Sequence, residues 1–279
     1  MPEAIKGDAK WRAELALEYE RSGQRTLLAA RRHDGPLIVQ KPLYPEGEEV
    51  CHTIIVHPPG GIAGGDEVAI TAHARAQAHV LLTTPGAGRW YRSAGAPARQ
   101  RIAFDVEPGA VLEWLPQETI LFNGALADLD MSVRLCGDGC FIGREIFCLG
   151  RIGSGEQFEK GIFRARTVIQ RDGRPLWLER ADLAGGGSAL RSSAIMGGEP
   201  VTGTLIATGP GLDGSLLGRC RVTKARNGAG AVTLLPGLLL GRYLGSSSEA
   251  AKHYFMQLWQ IVRPAVTSRA AVEPRIWST

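Results

Sequence analysis

Three glutamates stand where a carboxylate is costly. Glu118 shares strand parity with Ile120 and Phe122, Glu145 with Phe141, Phe147 and Leu149, and Glu179 with Trp177, Ala181 and Leu183. Side chains two apart on a strand point the same way, so each carboxylate is expected on an apolar face. Held there, it needs a cationic partner, hydrogen bonds, water or a metal. Arg144 and Arg180 adjoin two of the three in sequence, but adjacent strand residues face opposite sides, so any partner comes from another element. Two arrangements fit: separate buried ion pairs, or one polar, water-lined passage through the fold.

A further acidic pair, Asp66 and Glu67, closes the glycine-rich segment 57–66, HPPGGIAGGD. Paired glycines suggest a loop that cradles phosphate. Here no Lys-Ser/Thr follows, and 68–72 reads as a strand where a nucleotide-binding fold needs a helix. Segment 83–93, TTPGAGRWYRS, mixes hydroxyls, aromatics and arginines, a composition found at protein interfaces and in surface turns alike.

Other chemistries lack their spacing. The histidines His33, His52, His57, His73, His79 and His253 form no H-E-x-x-H pattern, and no G-x-S-x-G occurs. Five cysteines include no C-x-x-C, and Cys136-x3-Cys140 lacks a second ligand pair, so free, mostly buried thiols are expected. A glycosidase needs only two carboxylates and could draw on Glu113, Glu118, Glu145 and Glu179, but no spacing favours it. The net charge is +4, and the densest basic cluster, Arg31-Arg32-His33, ends at Asp34, which argues against nucleic acid. No run approaches the ~18 apolar residues of a spanning helix. Residues 1–10 lack the apolar core of a secretory signal, so a soluble, cytoplasmic protein is expected.

The elements that must position these residues are mostly strands. Leu15, Leu17 and Tyr19, then Ile102, Phe104 and Val106, then Met131, Val133 and Leu135 each alternate with polar residues. Further strands are expected at 36–41, 50–57, 66–74, 79–84, 141–149, 163–170, 176–183, 201–208, 219–224 and 232–235, separated by turn signals such as Asn227-Gly228. One helix is expected at 248–262. Ser246 to Ser248 can cap it, Ala251, Tyr254, Phe255, Leu258, Trp259 and Val262 form its apolar stripe, and Pro264 stops it. That stripe packs either internally or against a partner. A second short helix is expected at 238–244. Strands in series without alternating helices point to a sandwich, a barrel or a coil-like stack, with no linker that would mark a domain boundary.

Seven runs stand in order: HPPGGIAGGD (57–66), TTPGAGRWYRS (83–93), LEWLPQETILFN (112–123), GREIFCLGR (143–151), RPLWLERA (174–181), WQIVRP (259–264) and PRIWST (274–279). Together they resemble the UreD (also called UreH) family of urease accessory proteins, from about Trp11 to the end. The resemblance implies one all-β dominated domain over 1–279, its strands stacked in a β-helix-like coil with about two helices, one of them C-terminal. It implies a metallochaperone scaffold without turnover of its own, working with UreF and the nickel-carrying GTPase UreG and contacting apo-urease directly. It also implies an internal passage for nickel. Asp66, Glu67, Glu118, Glu145 and Glu179, with Thr84 nearby, are then expected to line or flank that passage, with nickel in transit and no tightly bound cofactor.

Overall fold

The computed structural model describes residues 11–278; segment 1–10, weighed above as a signal, lies outside the described residues. In chain order the strands are β1 (Arg12–Ser22), β2 (Arg25–Asp34), β3 (Ile38–Val39), β4 (Val50–Val56), β5 (Glu67–Ala74), β6 (His79–Thr83), β7 (Gly88–Trp90), β8 (Ala98–Val106), β9 (Val111–Trp114), β10 (Thr119–Leu121), β11 (Leu126–Leu135), β12 (Cys140–Leu149), β13 (Ile162–Arg171), β14 (Arg174–Ala184), β15 (Val201–Thr208), β16 (Gly228–Leu235) and β17 (Leu238–Gly245). The α-helices are α1 (Ser188–Arg191), α2 (Gly214–Arg221) and α3 (Ser248–Thr267).

Two sheets result. One runs β14-β13-β11-β8-β5-β1-β2; the other runs β16-β17-β15-β12-β9-β6-β4-β3, with β10 and β7 beside β12. From β4 to β13 the chain alternates between them, so β5 is followed by β6, β8 by β9 and β11 by β12. Neighbours within each sheet are parallel through this stretch. Parallel neighbours need a crossover, and here the crossover is a strand of the opposite sheet instead of a helix. That is the coil-like stack. Carboxylates clip successive turns together: Glu107 accepts from Ala76 N at 2.8 Å, Asp138 from Gly109 N at 2.6 Å and Asp172 from Gly137 N at 2.9 Å. Antiparallel hairpins close the ends.

The first core lies between the sheets and includes Leu15, Tyr19, Ile102, Phe104, Val133 and Phe163. The outer face of the β1-containing sheet is wet and carries ion pairs such as Arg134–Asp105 and Arg166–Asp130. The β12-containing sheet is covered on its other face by α2 and α3, giving a second core of Leu81, Ile142, Leu205, Phe255, Leu258 and Trp259. Its strands are therefore buried on both faces and lose the alternation of a one-sided strand.

That double burial explains one departure from expectation. Segment 238–244 is not a helix but most of β17, with Leu238 and Leu240 in the first core and Leu239 and Tyr243 in the second. Segment 219–224, expected as a strand, instead holds the end of α2, which Asp213 caps by accepting from Leu216 N at 2.7 Å. Helix α3 starts as expected, with Ser247 accepting from Ala250 N at 3.2 Å. It does not stop at Pro264 but continues to Thr267. Proline deprives only Gln260 of its backbone donor, and Gln260 is exposed to water. The last turn is held by buried Val266 and Arg263. The Tyr254/Phe255/Leu258/Trp259 face packs internally on the sheet, Trp259 being 1% exposed. Among the described residues no helix is long and apolar enough to cross a membrane.

Candidate functional site

Strand β12 divides the two layers residue by residue. Ile142, Ile146 and Cys148 face the helices, whereas Phe141 and Leu149 face the opposite sheet. Glu145 shares the parity of Phe141 and Leu149, so its carboxylate enters the space between the sheets. Two cavities lie there. One, of about 350 Å³, is lined by Glu145, Thr167, Glu179, Thr204 and Arg242 among apolar side chains. The other, of about 280 Å³, is lined by Glu145, His57, Thr84, Gln100, Trp114 and Gln117 among others. Glu145 alone among the described residues lines both. Burial pushes its carboxyl up to about 7, and the nearby Glu179 carboxylate adds to the push.

Glu179 reaches across from β14 and accepts from Arg242 Nη1. Arg242 Nη1 also donates to Thr204 Oγ1 at 2.9 Å, and its guanidinium lies 5.8 Å from the centre of the Trp177 ring. In the other cavity, Thr84 Oγ1 accepts from Gln117 N at 3.0 Å and donates to Gly86 O at 3.2 Å. The glycine-rich segment frames this side. Ile62 exchanges backbone bonds of 2.8 and 2.9 Å with Arg89 and Tyr91. A side chain at Gly61 would strike the Tyr91 ring, and one at Gly64 would strike Ser93. The two unusual segments of the sequence are thus one packed unit, and the glycines permit the approach. Half-buried His57 has its pKa lowered by burial, while Asp66 pulls it back up.

The expected site residues are therefore partly gathered. Glu145 meets Glu179 in one cavity and Thr84 in the other. Asp66 lies beside His57 and is engaged by Ala63 N at 2.8 Å and Trp11 N at 3.3 Å, holding the segment closed. Glu67 is exposed, 3.4 Å from Arg99. Glu118 precedes β10 and turns toward α3, 3.0 Å from Lys252. None of Asp66, Glu67 and Glu118 lines the two cavities. Both Glu118 and Glu179 find their cations on distant elements, as strand parity required. Among the described residues no group of three or more His, Cys, Asp or Glu is placed to hold a metal ion. All five cysteines are free, and burial pushes Cys148 up to about 12 and Cys140 to about 11, so these are thiols and poor metal ligands near neutral pH.

The model of the family described as UreD urease accessory protein matches residues 12–278. The chain belongs to the UreD family. It is 54% identical over 271 residues to the urease accessory protein UreD of Azoarcus sp. (strain BH72), covering 96% of this chain and 94% of the relative. It is 52% identical over 273 residues to UreD of Dechloromonas aromatica (strain RCB), covering 96% and 95%. It is 48% identical over 270 residues to UreD of Pseudomonas aeruginosa, again covering 96% and 95%. As a UreD-family member the chain is a urease accessory protein, and the hydrolase alternative finds no comparable support.

The UreD-family fold also holds a charge cluster that sequence reasoning missed. Glu113 of β9 faces the helices and is 0% exposed. Its Oε1 lies 2.8 Å from His79 Nε2 and accepts from Arg263 Nε at 2.9 Å; its Oε2 accepts from Trp259 Nε1 at 2.7 Å. Arg263 continues to Glu46, donating from Nη1 at 2.6 Å and Nη2 at 2.9 Å, and Glu46 Oε1 lies 2.6 Å from His52 Nε2. Burial would raise the Glu113 pKa, but the His79 hydrogen bond and the Arg263 charge outweigh it and hold the group at about 2. Glu113 entered the sequence reading only as one of four hydrolase carboxylates. The available signal was Trp259 and Arg263, four apart on one helix, one of them on the apolar stripe.

Proposed function

We propose that the chain is a non-catalytic scaffold for urease metallocentre assembly in the cytoplasm. In this reading it binds apo-urease, UreF and UreG, and passes nickel as transient cargo through the polar layer between its sheets. The observation that carries the reading is that two cavities meet at Glu145, one reaching Thr84 and the other Glu179. A buried carboxylate loses charge unless a cation supplies its partner. A row of oxygen donors between apolar walls therefore offers a divalent cation successive resting places. Oxygen suits nickel less well than imidazole or thiolate, which favours release over retention. Asp66 lies off the cavities as well but ties the segment whose His57, Gly60, Gly61 and Ile62 line the Thr84 end, while Glu67 and Glu118 serve as comparison positions. The β12-containing sheet, shared by both cores, supports reading the chain as one domain.

The test measures thermal stability, co-purification with UreF, UreG and apo-urease, and urease activity in cells on one set of variants. Glu145→Ala, Glu179→Ala and Thr84→Val are expected to keep the complex and lose activation. If activation follows stability at every position, no passage runs through them. Equilibrium dialysis is expected to show weak nickel binding. A single submicromolar site abolished by one His or Cys substitution would contradict the oxygen-lined passage.

A further inference from the structure

Glu145, Thr204 and Arg242 lie abreast on three adjacent strands. Glu145 of β12 pairs with Thr204 of β15, and Thr204 pairs with Arg242 of β17. All three side chains line the same cavity, and Glu179 enters it from the facing sheet to accept from Arg242. Arg180 and Asp182 also border it, but from strand positions of the opposite parity to Glu179, Asp182 being paired with Arg164 on the wet face, so the charges aimed into the cavity are two carboxylates and the one guanidinium of Arg242. Arginine keeps its charge throughout the physiological range, so it cannot make room for a second cation by losing a proton. It can only move. Its side chain is 38% exposed, and two alternative contacts already touch it: the Thr204 hydroxyl at 2.9 Å and the Trp177 ring face at 5.8 Å. A ring face is a favourable seat for a displaced guanidinium.

We propose that Arg242 is the resident counter-ion of this cavity, occupying the cation position beside Glu179 and yielding it to a divalent cation by withdrawing onto Thr204 and Trp177. The inference rests on the passage reading and adds what limits retention there. Two facing carboxylates with no competitor would trap a divalent cation. With Arg242 present, each binding event must first break the Arg242–Glu179 pair, and each departure lets that pair reform. Arg242 therefore sets a ceiling on affinity.

The experiment uses the full chain and Ni²⁺ alone in equilibrium dialysis, with melting temperature and UreF co-purification as controls. Arg242→Gln is expected to bind Ni²⁺ about tenfold more tightly than wild type, since it removes a competing charge within a few ångströms. Arg242→Lys, which keeps the charge, is expected to stay near wild type. The double variant Arg242→Gln/Glu179→Gln is expected to lose the gain. Should Arg242→Gln fail to fold, Arg242→Met keeps the contact with Trp177 and carries the same expectation. Unchanged or weaker Ni²⁺ binding in a folded Arg242→Gln or Arg242→Met protein overturns the proposal. Urease activation by Glu145→Gln separates the two readings. If it falls while Arg242→Gln binds no more tightly, the counter-ion role fails and the passage stands. If it is unchanged while Arg242→Gln gains affinity, the counter-ion stands and the passage fails.

Discussion

Glu113 and Glu145 occupy hydrogen-bonded neighbouring strands of one sheet and face opposite layers of the molecule. On the helix side, Glu113 meets His79, Trp259 and Arg263, and its carboxyl is held at about 2. Between the sheets, Glu145 faces two cavities and another carboxylate, and its carboxyl rises to about 7. Burial acts on both in the same direction; partners decide the outcome. Full compensation on one side binds the C-terminal helix to the sheet. Incomplete compensation on the other leaves a carboxylate in need of a cation. A glutamate on an apolar strand face is thus no single signal: Glu113 is fully buried and fully paired, whereas Glu145 is half-buried and borders open space.

The severest break in this comparison is Glu113→Ala. It leaves buried Arg263 with Glu46 as its one carboxylate partner beside the Ala270 carbonyl, and Trp259 and His79 lose their acceptor. Removing one partner of a buried pair costs about 3–5 kcal/mol. The expected result is a large fall in melting temperature, with complex formation and urease activation falling together. A variant that melts like wild type would show that the cluster does not hold α3.

The pH dependence of stability separates the two carboxylates next. The folded value of Glu113, about 2, lies below its ordinary 4.5. Its stabilisation is therefore complete above about 4.5 and is lost as pH falls toward 2, a change of about 3 kcal/mol. Glu145 has the opposite sign. Its folded value, about 7, lies above 4.5, so its contribution favours the fold at low pH and disappears as pH rises through 7. Denaturant unfolding across pH is expected to lose the acid limb in Glu113→Gln and the neutral limb in Glu145→Gln. Identical profiles for the two variants would erase the distinction.

How much of this was legible in the sequence follows from the same layering. Strands of the β1-containing sheet have one wet face, so Leu15, Leu17 and Tyr19 alternate with polar residues and β1 reads cleanly. Strand β17 has two dry faces, so Leu238, Leu239 and Leu240 show no alternation and suggested a helix. The directions of Glu145 and Glu179 followed from parity. Glu118 kept its parity with Ile120 too, but that face belongs to the helix-side layer, where it meets Lys252 of α3 and not the space between the sheets. The identities of the partners were beyond any local pattern: His79 is 34 residues from Glu113, and Arg263 is 150. Distances of that kind are set by which layers meet.

Glu145→Gln sharpens the comparison from the other side. An amide keeps the shape of the carboxylate without its charge, so near pH 7 and above the variant is expected to melt at or above the wild-type temperature. UreF co-purification is expected to persist while urease activation falls. Lower stability together with lower activation would make Glu145 a second Glu113, a structural carboxylate after all.

The smallest expected effect is at Asp66. Its carboxylate accepts from Ala63 N and Trp11 N and so holds the segment that packs on Tyr91 and Ser93 beside the Thr84 cavity. These are hydrogen bonds at a partly exposed turn, not an ion pair in a core, so Asp66→Ala is expected to cost about 1 kcal/mol. Its effect on activation is the informative measurement. If the segment frames one end of a passage, activation falls well beyond what a loss of that size explains, and Asp66→Asn restores part of it by keeping one acceptor oxygen. If Asp66→Ala activates urease like wild type at equal protein levels, the tie is dispensable to transit, and Thr84→Val then decides whether cargo uses that side. Wild-type activation by both variants would leave Glu145 with a path toward Glu179 alone.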